Sequence, residues 1–357
     1  MKNYKYKTAV VLLLSFCSLF ASCSKTESPG VNKIAHGAQG AIDYANATGL
    51  FLIPFYSEVH ARQNEYLDAA IASIKNQTDS NWHLLILDDA SPDQQAIEHL
   101  KSLESDPKIT VILNTQNKKQ GAVRNQGILW ASEQKYPFIL FLDSDDLSNT
   151  KRLELTRKIF VENPDVDIVY STFVVVDEDE NIVPREDLAP SIIEIINSHP
   201  DKPFKKADFW IDMATEIGYT NLTSVTAVKT DLALRNPFPV GTQVSEDYHA
   251  WLAYSADGGI YYYSPDFPTL YRIPQHTVKD SARNSLFYQR KSVFDEQGIK
   301  NALDIYSGRE KLAPEKRKEI LIRFYLKQYD TFFGEKEYEL ADDQVQKIKT
   351  LFDYQID

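Results

Sequence analysis

The chain has 357 residues, of which 51 are Asp or Glu and 39 are Lys or Arg, so its formal net charge at pH 7 is −12. This acidic balance argues against a nucleic-acid-binding protein and against broad electrostatic docking on anionic lipid. A hydrophobic fraction of 43% is typical of a packed core, and the length allows one large α/β domain with an accessory part.

The N-terminus has the composition of an export signal. Lys2, Lys5 and Lys7 precede an apolar stretch, residues 8–21, that is too short for a comfortable membrane span. The small residues before Cys23 resemble those of a bacterial lipoprotein signal, which implies lipid attachment at Cys23. An ordinary secretory peptide and an uncleaved signal anchor stay open as alternatives.

The predicted signal covers residues 1–23, and residues 24–48 are predicted to be a linker because Ser, Gly and Ala are frequent there. Both cysteines, Cys17 and Cys23, lie within the signal. The folded part is therefore expected to contain no disulfide and no cysteine nucleophile or metal ligand.

Apolar runs alternate with helical patterns from residue 49 onward, which predicts α/β architecture with a mostly parallel sheet. The predicted strands cover residues 49–55, 83–88, 109–114, 138–142, 168–176, 224–229 and 259–263. The polar stretch at residues 177–181 is typical of a turn between two strands of a hairpin. Helical spacing of apolar residues from 286 onward predicts a helical C-terminal part.

Acidic residues follow two of these strands directly. Asp88 and Asp89 end the second strand, and Asp143 and Asp145 follow the fourth. Ligands bind at this edge of open α/β sheets, and carboxylates two residues apart can hold a divalent cation. The alternative is a solvated acidic turn that caps a helix beginning near Asn149.

Several segments in the correct order resemble the nucleotide-binding half of family 2 glycosyltransferases, which have the GT-A fold. These segments are the Pro-containing turn at 52–58, the helix at 66–78 with its Asn-Gln-Thr end, the acidic turn at 87–93, the segment 117–127 with Gly121, Arg124 and Asn125, and the run 141–146. The resemblance continues more weakly to about residue 281, through the Glu-Asp pair at 246–247 and the Tyr-Arg pair at 271–272.

Three departures from the family pattern stand out. Ser57 occupies a position where the family often has Asn, and Pro274 stands where His often follows, with His276 two residues later. The Gln-x-x-Arg-Trp motif of processive synthases is absent, which favours addition of a single sugar.

The resemblance implies roles for individual residues. The nucleotide would contact Pro54, Phe55, Glu58, Asp88, Asp89, Arg124 and Asp143. Asp145 would bind Mn²⁺ or Mg²⁺, and Asp247 would be the catalytic base. Glu246, Arg272 and His276 are weaker candidates for contacts with the acceptor or the diphosphate, whereas His83 and His249 are interpreted as structural.

The resemblance therefore implies an inverting, metal-dependent transferase that moves one sugar from a nucleotide-diphosphate donor, a UDP-sugar, to a glycan or lipid-linked acceptor. The predicted GT-A domain covers 49–283, with a nucleotide half at 49–150 and an acceptor half at 151–283, and a helical region follows at 284–357. The alternative is a membrane-tethered, non-catalytic carbohydrate-binding protein on a degenerate transferase fold.

The predicted location is the cell envelope, reached through a lipid anchor at Cys23. This prediction conflicts with the donor, because nucleotide sugars are normally kept in the cytoplasm. The cytoplasmic face of the membrane is the alternative location if the N-terminus is not an export signal.

Overall fold

A mixed β-sheet runs through the part of the chain that the computed structural model describes, residues 42–59, 62–241, 244–274 and 285–352. Its strands are β1 (Gly49–Phe55), β2 (Trp82–Asp88), β3 (Ile109–Leu113), β4 (Phe138–Phe141), β5 (Ile168–Val176), β6 (Phe204–Lys206), β7 (Thr226–Lys229) and β8 (Tyr261–Arg272). Their order across the sheet is β3-β2-β1-β4-β7-β5-β8-β6. Strands β1 to β4 pair in parallel, as do β5 and β8, whereas β7 is antiparallel to both of its neighbours and β6 is antiparallel to β8.

Helices cover both faces of this sheet and form the C-terminal part. They are α1 (Gln63–Lys75), α2 (Gln94–Leu103), α3 (Lys119–Glu133), α4 (Arg152–Glu162), α5 (Pro190–Asn197), α6 (Phe209–Asp212), α7 (Thr230–Arg235), α8 (Glu246–Ala256), α9 (Ser285–Arg309), α10 (Pro314–Gly334) and α11 (Tyr338–Phe352). The predicted α/β class, with its mostly parallel sheet and helical C-terminal part, is confirmed.

The central strands are apolar throughout because both of their faces are buried. In β1, Leu50 and Leu52 point into a core shared with α3, and Phe51 and Ile53 point into a second core on the opposite face. Successive side chains of a strand alternate between faces, so an unbroken apolar run fills both cores. The polar residues that follow each strand are thereby left at the sheet edge.

Strand β8 extends well beyond the strand that was predicted over residues 259–263. The prediction was too short because the prolines within β8 obscure the strand pattern. Pro265 and Pro268 lie inside β8, and its register with β5 shifts between Ser171 and Phe173. Proline is tolerated at such irregularities because it has no N–H to donate to the ladder.

The short β6 was not predicted. At the predicted hairpin turn, the backbone N–H of Asp177 donates to the carbonyl of Asn181, and a single bridge joins Val176 to Ile182.

The C-terminal helices contribute to the main core. Ile299 and Leu303 of α9 and Ile320 and Phe324 of α10 are buried in the same apolar cluster as α8. The described residues from 42 onward form one compact unit, and the boundaries predicted within it stay predictions. Across the described residues, no helix combines the length and apolarity needed to cross a membrane.

Two predicted features lie wholly or partly outside the described residues. The signal over residues 1–23, including Cys23, belongs to the segment 1–41, and His276 belongs to the segment 275–284. The described end of the predicted linker contacts α4, where the ring of Tyr44 lies 5.6 Å from that of Phe160.

Candidate functional site

A cavity of about 620 Å³ opens at the carboxyl ends of β1, β2 and β4. It brings together most of the residues that the sequence nominated from segments far apart in the chain. These are Pro54, Phe55, Asp89, Arg124, Asp143, Asp145, Glu246, Asp247 and Arg272. This is the edge at which open α/β sheets bind ligands.

Asp89 is held in place at the cavity wall by backbone amides. The N–H groups of Lys118 and Lys119 donate to its two carboxylate oxygens at 2.7 and 2.8 Å. The preceding residue, Asp88, is buried and accepts hydrogen bonds from the backbone N–H and the hydroxyl of Ser91. Burial raises the pKa of Asp88. Asp89 lines the cavity and Asp88 does not.

Glu58, which the resemblance placed at the nucleotide, is exposed and does not line the cavity. Nearby, the hydroxyl of Ser57 donates to Asp93, the residue that caps the N-terminus of α2. Ser57, the residue that departs from the family pattern, thus helps to hold the acidic turn at 87–93 in place.

The segment of α3 that resembles the family motif packs against the chain that leads into α8. A Cβ at position 121 would lie 2.6 Å from the carbonyl oxygen of Pro239, a contact that Gly121 avoids. Asn125 exchanges two hydrogen bonds of 2.8 Å with the backbone of Phe238. On the other side, a Cβ on Gly127 would lie 2.2 Å from Leu52. The glycines therefore allow α3 to approach both neighbours closely and fix the position of Arg124.

Arg124 connects Asp143, which follows β4, to Glu246, which begins α8. Its guanidinium donates to Asp143 at 2.7 Å and to Glu246 at 2.9 Å, and its side chain is 2% exposed. The neighbouring carboxylates raise the pKa of Arg124, against the effect of burial. Buried charges are retained in proteins when they are paired in this way.

Asp145 and Asp146 are adjacent in sequence but differ in their surroundings. Asp145 lines the cavity, and burial together with the charge of Asp143 raises its pKa to about 6. Asp146 is fully buried and accepts hydrogen bonds from the hydroxyl of Ser224 and, at 2.8 Å, from the backbone N–H of Arg272. Asp146 therefore supports the structure, whereas Asp145 faces the ligand space.

Two carboxylates at the cavity wall, Asp143 and Asp145, suit a hard divalent cation. Burial and the charge of Asp143 both raise the pKa of Asp145, and a bound cation would favour its ionised form. Within the described ranges, no group of three or more His, Cys, Asp or Glu side chains could hold a metal alone. A cation at these two carboxylates would therefore need further ligands.

Asp247 lies in the first turn of α8, next to Glu246. The hydroxyl of Tyr219 donates to Oδ2 of Asp247, Thr223 lies 3.4 Å from the same oxygen, and the backbone N–H of Tyr248 donates to Oδ1 at 2.8 Å. Burial and the charge of Glu246 raise the pKa of Asp247 to about 6. A carboxylate with this pKa is ionised at neutral pH and is still basic enough to accept a proton.

Arg272 fixes backbone around the acidic motif. Its guanidinium donates to the carbonyl oxygens of Asp145, Asp177 and Glu178 and to the carboxylate of Glu180. The group is 1% exposed, so most of its hydrogen-bonding capacity is used within the protein. It positions the metal-binding candidate Asp145 at the cavity wall.

His83 and His249, which were interpreted as structural from the sequence, lie outside the cavity. His83 is 2.9 Å from the hydroxyl of Thr110 and stacks with Trp130 and Tyr136, and His249 packs against Gly298 of α9. Neither lines the cavity. Burial lowers the pKa of both imidazoles, as expected for structural residues.

The C-terminal helices form a second wall of the cavity, beyond Asp247. Lys291 and Asp295 of α9 and Gln328 of α10 line it. Lys291 donates to Asp295 and lies 5.9 and 5.5 Å from the ring centres of Tyr219 and Tyr248, which stack on each other at 5.5 Å. The base side of the cavity is therefore built partly from outside the segment that resembles the family.

Comparison with models of known protein families shows which family the chain belongs to. The model described as glycosyl transferase family 2 matches residues 51–230, half of the chain. The chain belongs to this family. It is a glycosyltransferase, as the sequence indicated.

Relatives of this glycosyltransferase include the Escherichia coli protein WfgD, named as a UDP-Glc:α-D-GlcNAc-diphosphoundecaprenol β-1,3-glucosyltransferase. The two are 27% identical over 231 residues, which are 64% of this chain and 79% of WfgD. The uncharacterized glycosyltransferase MJ1057 of Methanocaldococcus jannaschii is 35% identical over 134 residues, which are 36% of this chain and 45% of the relative. The chain thus spans less than half of that relative.

Two solved structures show the same fold. Residues 1–349 of TarS from S. aureus, in complex with UDP-GlcNAc, align over 87% of this chain and 94% of that one, with a TM-score of 0.52 and 14% identity. The mannosyltransferase PcManGT from Pyrobaculum calidifontis, in complex with GDP-Man and Mn²⁺, aligns over 87% and 77%, with a TM-score of 0.53 and 14% identity. The predicted GT-A fold is confirmed.

Sequence reasoning missed the residues that surround the predicted base of this glycosyltransferase. Tyr219 lies in an irregular segment with no motif, and its bond to Asp247 spans 28 residues. The pair Lys291 and Asp295 carries the only local signal, an i, i+4 spacing of opposite charges on a predicted helix. That spacing is common on solvated helix faces, so it did not indicate a cavity.

Proposed function

We propose that this glycosyltransferase moves a single sugar from a nucleotide-diphosphate donor, a UDP-sugar, to a hydroxyl of a glycan or lipid-linked acceptor, with inversion at the anomeric carbon. The observation that carries the proposal is the meeting of Asp89, Asp145 and Asp247 around one cavity. The first two suit a nucleotide and a cation, and the third suits proton abstraction. WfgD is named for a UDP-glucose donor, and the TarS and PcManGT structures contain UDP-GlcNAc and GDP-Man.

The donor would lie along the carboxyl ends of β1, β2 and β4. Pro54 and Phe55 would bound the base, and the carboxylate of Asp89, already oriented by two backbone amides, would accept hydrogen bonds from the base or ribose. Asp143, held by Arg124, would face the ribose. Preorganised carboxylates cost little reorganisation when the nucleotide binds.

Asp145, with Asp143 beside it, would hold Mn²⁺ or Mg²⁺. A bound cation would supply electrostatic stabilisation of the negative charge that develops on the departing diphosphate. Arg272 keeps the backbone of Asp145 in place through its bond of 2.8 Å to the carbonyl oxygen. The protein's own contribution is therefore the orientation of the two carboxylates.

Asp247 would take the proton from the attacking acceptor hydroxyl. As that proton moves to the carboxylate, the acceptor oxygen forms a bond to the anomeric carbon from the face opposite the diphosphate. The bond between the anomeric carbon and the diphosphate oxygen breaks, and its electron pair leaves with the diphosphate. Tyr219 and the backbone N–H of Tyr248 hold the carboxylate in position for this step.

The proposal is tested by incubating purified protein with UDP-, GDP- and dTDP-sugars in the presence of Mn²⁺ or of EDTA. We expect turnover of a UDP-sugar that EDTA abolishes, and a product whose anomeric configuration, read by NMR, is opposite to that of the donor. Retained configuration would contradict single displacement, and full activity in EDTA would contradict the metal. Glycan binding with no turnover of any donor would favour the non-catalytic alternative.

We further propose that the chain is anchored in the cell envelope through lipid on Cys23. The basis is the sequence alone, with its basic start, short apolar stretch and small residues before the cysteine. Two or three acyl chains give stable anchoring, whereas one gives marginal binding. Labelling cells with palmitate tests this, because the wild type should take up label and Cys23→Ala should not. Unlabelled, full-length protein in the cytosol would contradict the anchor and would remove the conflict with a cytoplasmic donor.

A further inference from the structure

The second wall of the cavity contains hydrogen-bond acceptors without partners. Asp295 is 1% exposed and Gln328 is 5% exposed. Among the described residues, Oδ1 of Asp295 and Oε1 of Gln328 have no hydrogen-bond partner. Buried polar atoms are nearly always paired, so two unpaired oxygens in the wall of one cavity need an explanation.

The local contacts fix which atoms are left unpaired. The amide nitrogen of Gln328 lies 3.3 Å from Oδ2 of Asp295, and Lys291 donates to the same oxygen. Reversing the amide would set two acceptor oxygens against each other, so the carboxylate determines its orientation. Both unpaired atoms are therefore acceptors, and a ligand that satisfies them must donate.

The position of these two oxygens relates them to the sugar acceptor rather than to the nucleotide-sugar donor. On one side of α8, Glu246 connects through Arg124 to Asp143 and the donor region. On the other side, Asp247 connects through Tyr219 to Lys291 and Asp295. The base thus stands between the donor carboxylates and the second wall, where a molecule that gives up a proton to Asp247 would lie.

The charge of the second wall limits what that molecule is. Lys291 is paired with Asp295, and Glu194, which also lines the cavity, is paired with Lys327. Asp247 adds a further negative charge. Among the described residues that line this wall, a phosphate or a uronate would meet no surplus cation, whereas neutral hydroxyl groups would find two acceptors. The rings of Tyr219 and Tyr248 offer an apolar surface beside them.

We propose that Asp295 and Gln328 form an acceptor subsite, in which they accept hydrogen bonds from two hydroxyls of the neutral sugar residue that carries the attacking hydroxyl. This inference rests on the proposed transferase function and adds to it the class of acceptor. The C-terminal helices, outside the family segment, then select the acceptor.

The test uses 4-nitrophenyl glycosides of glucose, mannose, N-acetylglucosamine and glucuronic acid as acceptor probes for the full-length protein. Transfer is measured for the wild type, Asp295→Asn and Gln328→Met, and donor hydrolysis without acceptor is measured in parallel. Asp330→Asn is the matched control, because Asp330 lies on α10 two residues from Gln328 and is exposed. Thermal unfolding checks that each variant is folded.

We expect the wild type to use neutral glycosides and to discriminate against the glucuronide. Asp295→Asn and Gln328→Met should raise the KM for the neutral glycosides about tenfold or more, with donor hydrolysis within about twofold of wild type. The control should match the wild type. Unchanged acceptor KM in both variants, or a wild-type preference for the glucuronide, would overturn the subsite.

A separate readout distinguishes this inference from the proposed function. If the wild type neither transfers sugar from any donor nor hydrolyses one, the transferase proposal fails, and binding of the neutral glycosides with UDP present is then followed by ligand-observed NMR. Binding that both variants weaken supports the subsite, and binding that neither changes overturns it. If a variant fails to fold, the preference of the wild type for neutral glycosides over the glucuronide still tests the inference.

Discussion

The guanidinium of Arg124 lies 2.9 Å from Oε1 of Glu246, across 122 residues of sequence. The same group reaches Asp143 at 2.7 Å. One buried arginine thus fixes the distance between the residues proposed for donor binding and the helix that carries the proposed base. Donor and acceptor must approach within a near-attack distance, so this ion network is a structural condition for the reaction.

Replacing Arg124 by Gln should destabilise the protein strongly. Two carboxylates would be left without their cation in a buried site, and breaking a buried pair costs about 3–5 kcal/mol. Chemical denaturation measures the free energy of unfolding. Arg317→Gln is the control, because Arg317 pairs with an Asp304 side chain that is 71% exposed, and loss of such a surface pair costs about 0–1 kcal/mol. Equal losses for both variants would contradict the structural role of Arg124.

The pH dependence of kcat/KM should report the ionisation of Asp247. Burial and Glu246 raise its pKa to about 6, so the base is ionised above that pH and protonated below it. Activity should therefore fall as the pH decreases through about 6, with a plateau toward neutral pH. A profile that stays flat down to pH 4.5, at saturating Mn²⁺ and in folded protein, is incompatible with this assignment.

Tyr219→Phe should move that acidic limb to higher pH. The hydroxyl of Tyr219 donates to the ionised carboxylate and so lowers the pKa of Asp247. A hydrogen bond to a charged group contributes about 1.5–3 kcal/mol, which corresponds to a shift of roughly one unit or more. Tyr338→Phe, at a tyrosine that is 53% exposed, should leave the profile unchanged. An unshifted limb in Tyr219→Phe means that this bond does not tune the base.

Much of the donor side was predictable because its signals are local. The strands that precede Asp89 and Asp143 are rich in apolar residues, and a run of this kind places its trailing residues at the sheet edge. The glycines of the α3 segment were recognised from the resemblance, and the structure adds the reason for them, which is close approach to Leu52 and Pro239.

The base side was less predictable because its contacts are long-range. Arg124 of α3 and Glu246 of α8 are 122 residues apart, and β4, β5 and β7 lie between them in the chain. Asp295 reaches the cavity through packing of α9 on α8, which no spacing in the sequence encodes. The different roles of Asp145 and Asp146 also depend on burial, since the two carboxylates are adjacent and chemically identical.

Asp145→Ala should therefore affect ligand binding, whereas Asp146→Ala should affect stability. Asp145→Ala should abolish Mn²⁺-dependent binding of UDP, measured by calorimetry, and leave the unfolding temperature near that of the wild type. Asp146→Ala removes the partner of Ser224 and of the Arg272 amide, and each unsatisfied group costs about 1–3 kcal/mol, so it should lower stability. Undiminished Mn²⁺-dependent binding in Asp145→Ala would refute the metal assignment.

The most direct test of the central claim compares sugar turnover by the wild type and by Asp247→Asn with the same UDP-sugar, Mn²⁺ and acceptor. Loss of a general base typically reduces the rate about 10²- to 10⁴-fold. We expect a loss in this range for Asp247→Asn, with UDP affinity unchanged because the donor side of the cavity is intact. Turnover by Asp247→Asn at the wild-type rate would contradict the assignment of Asp247 as the catalytic base.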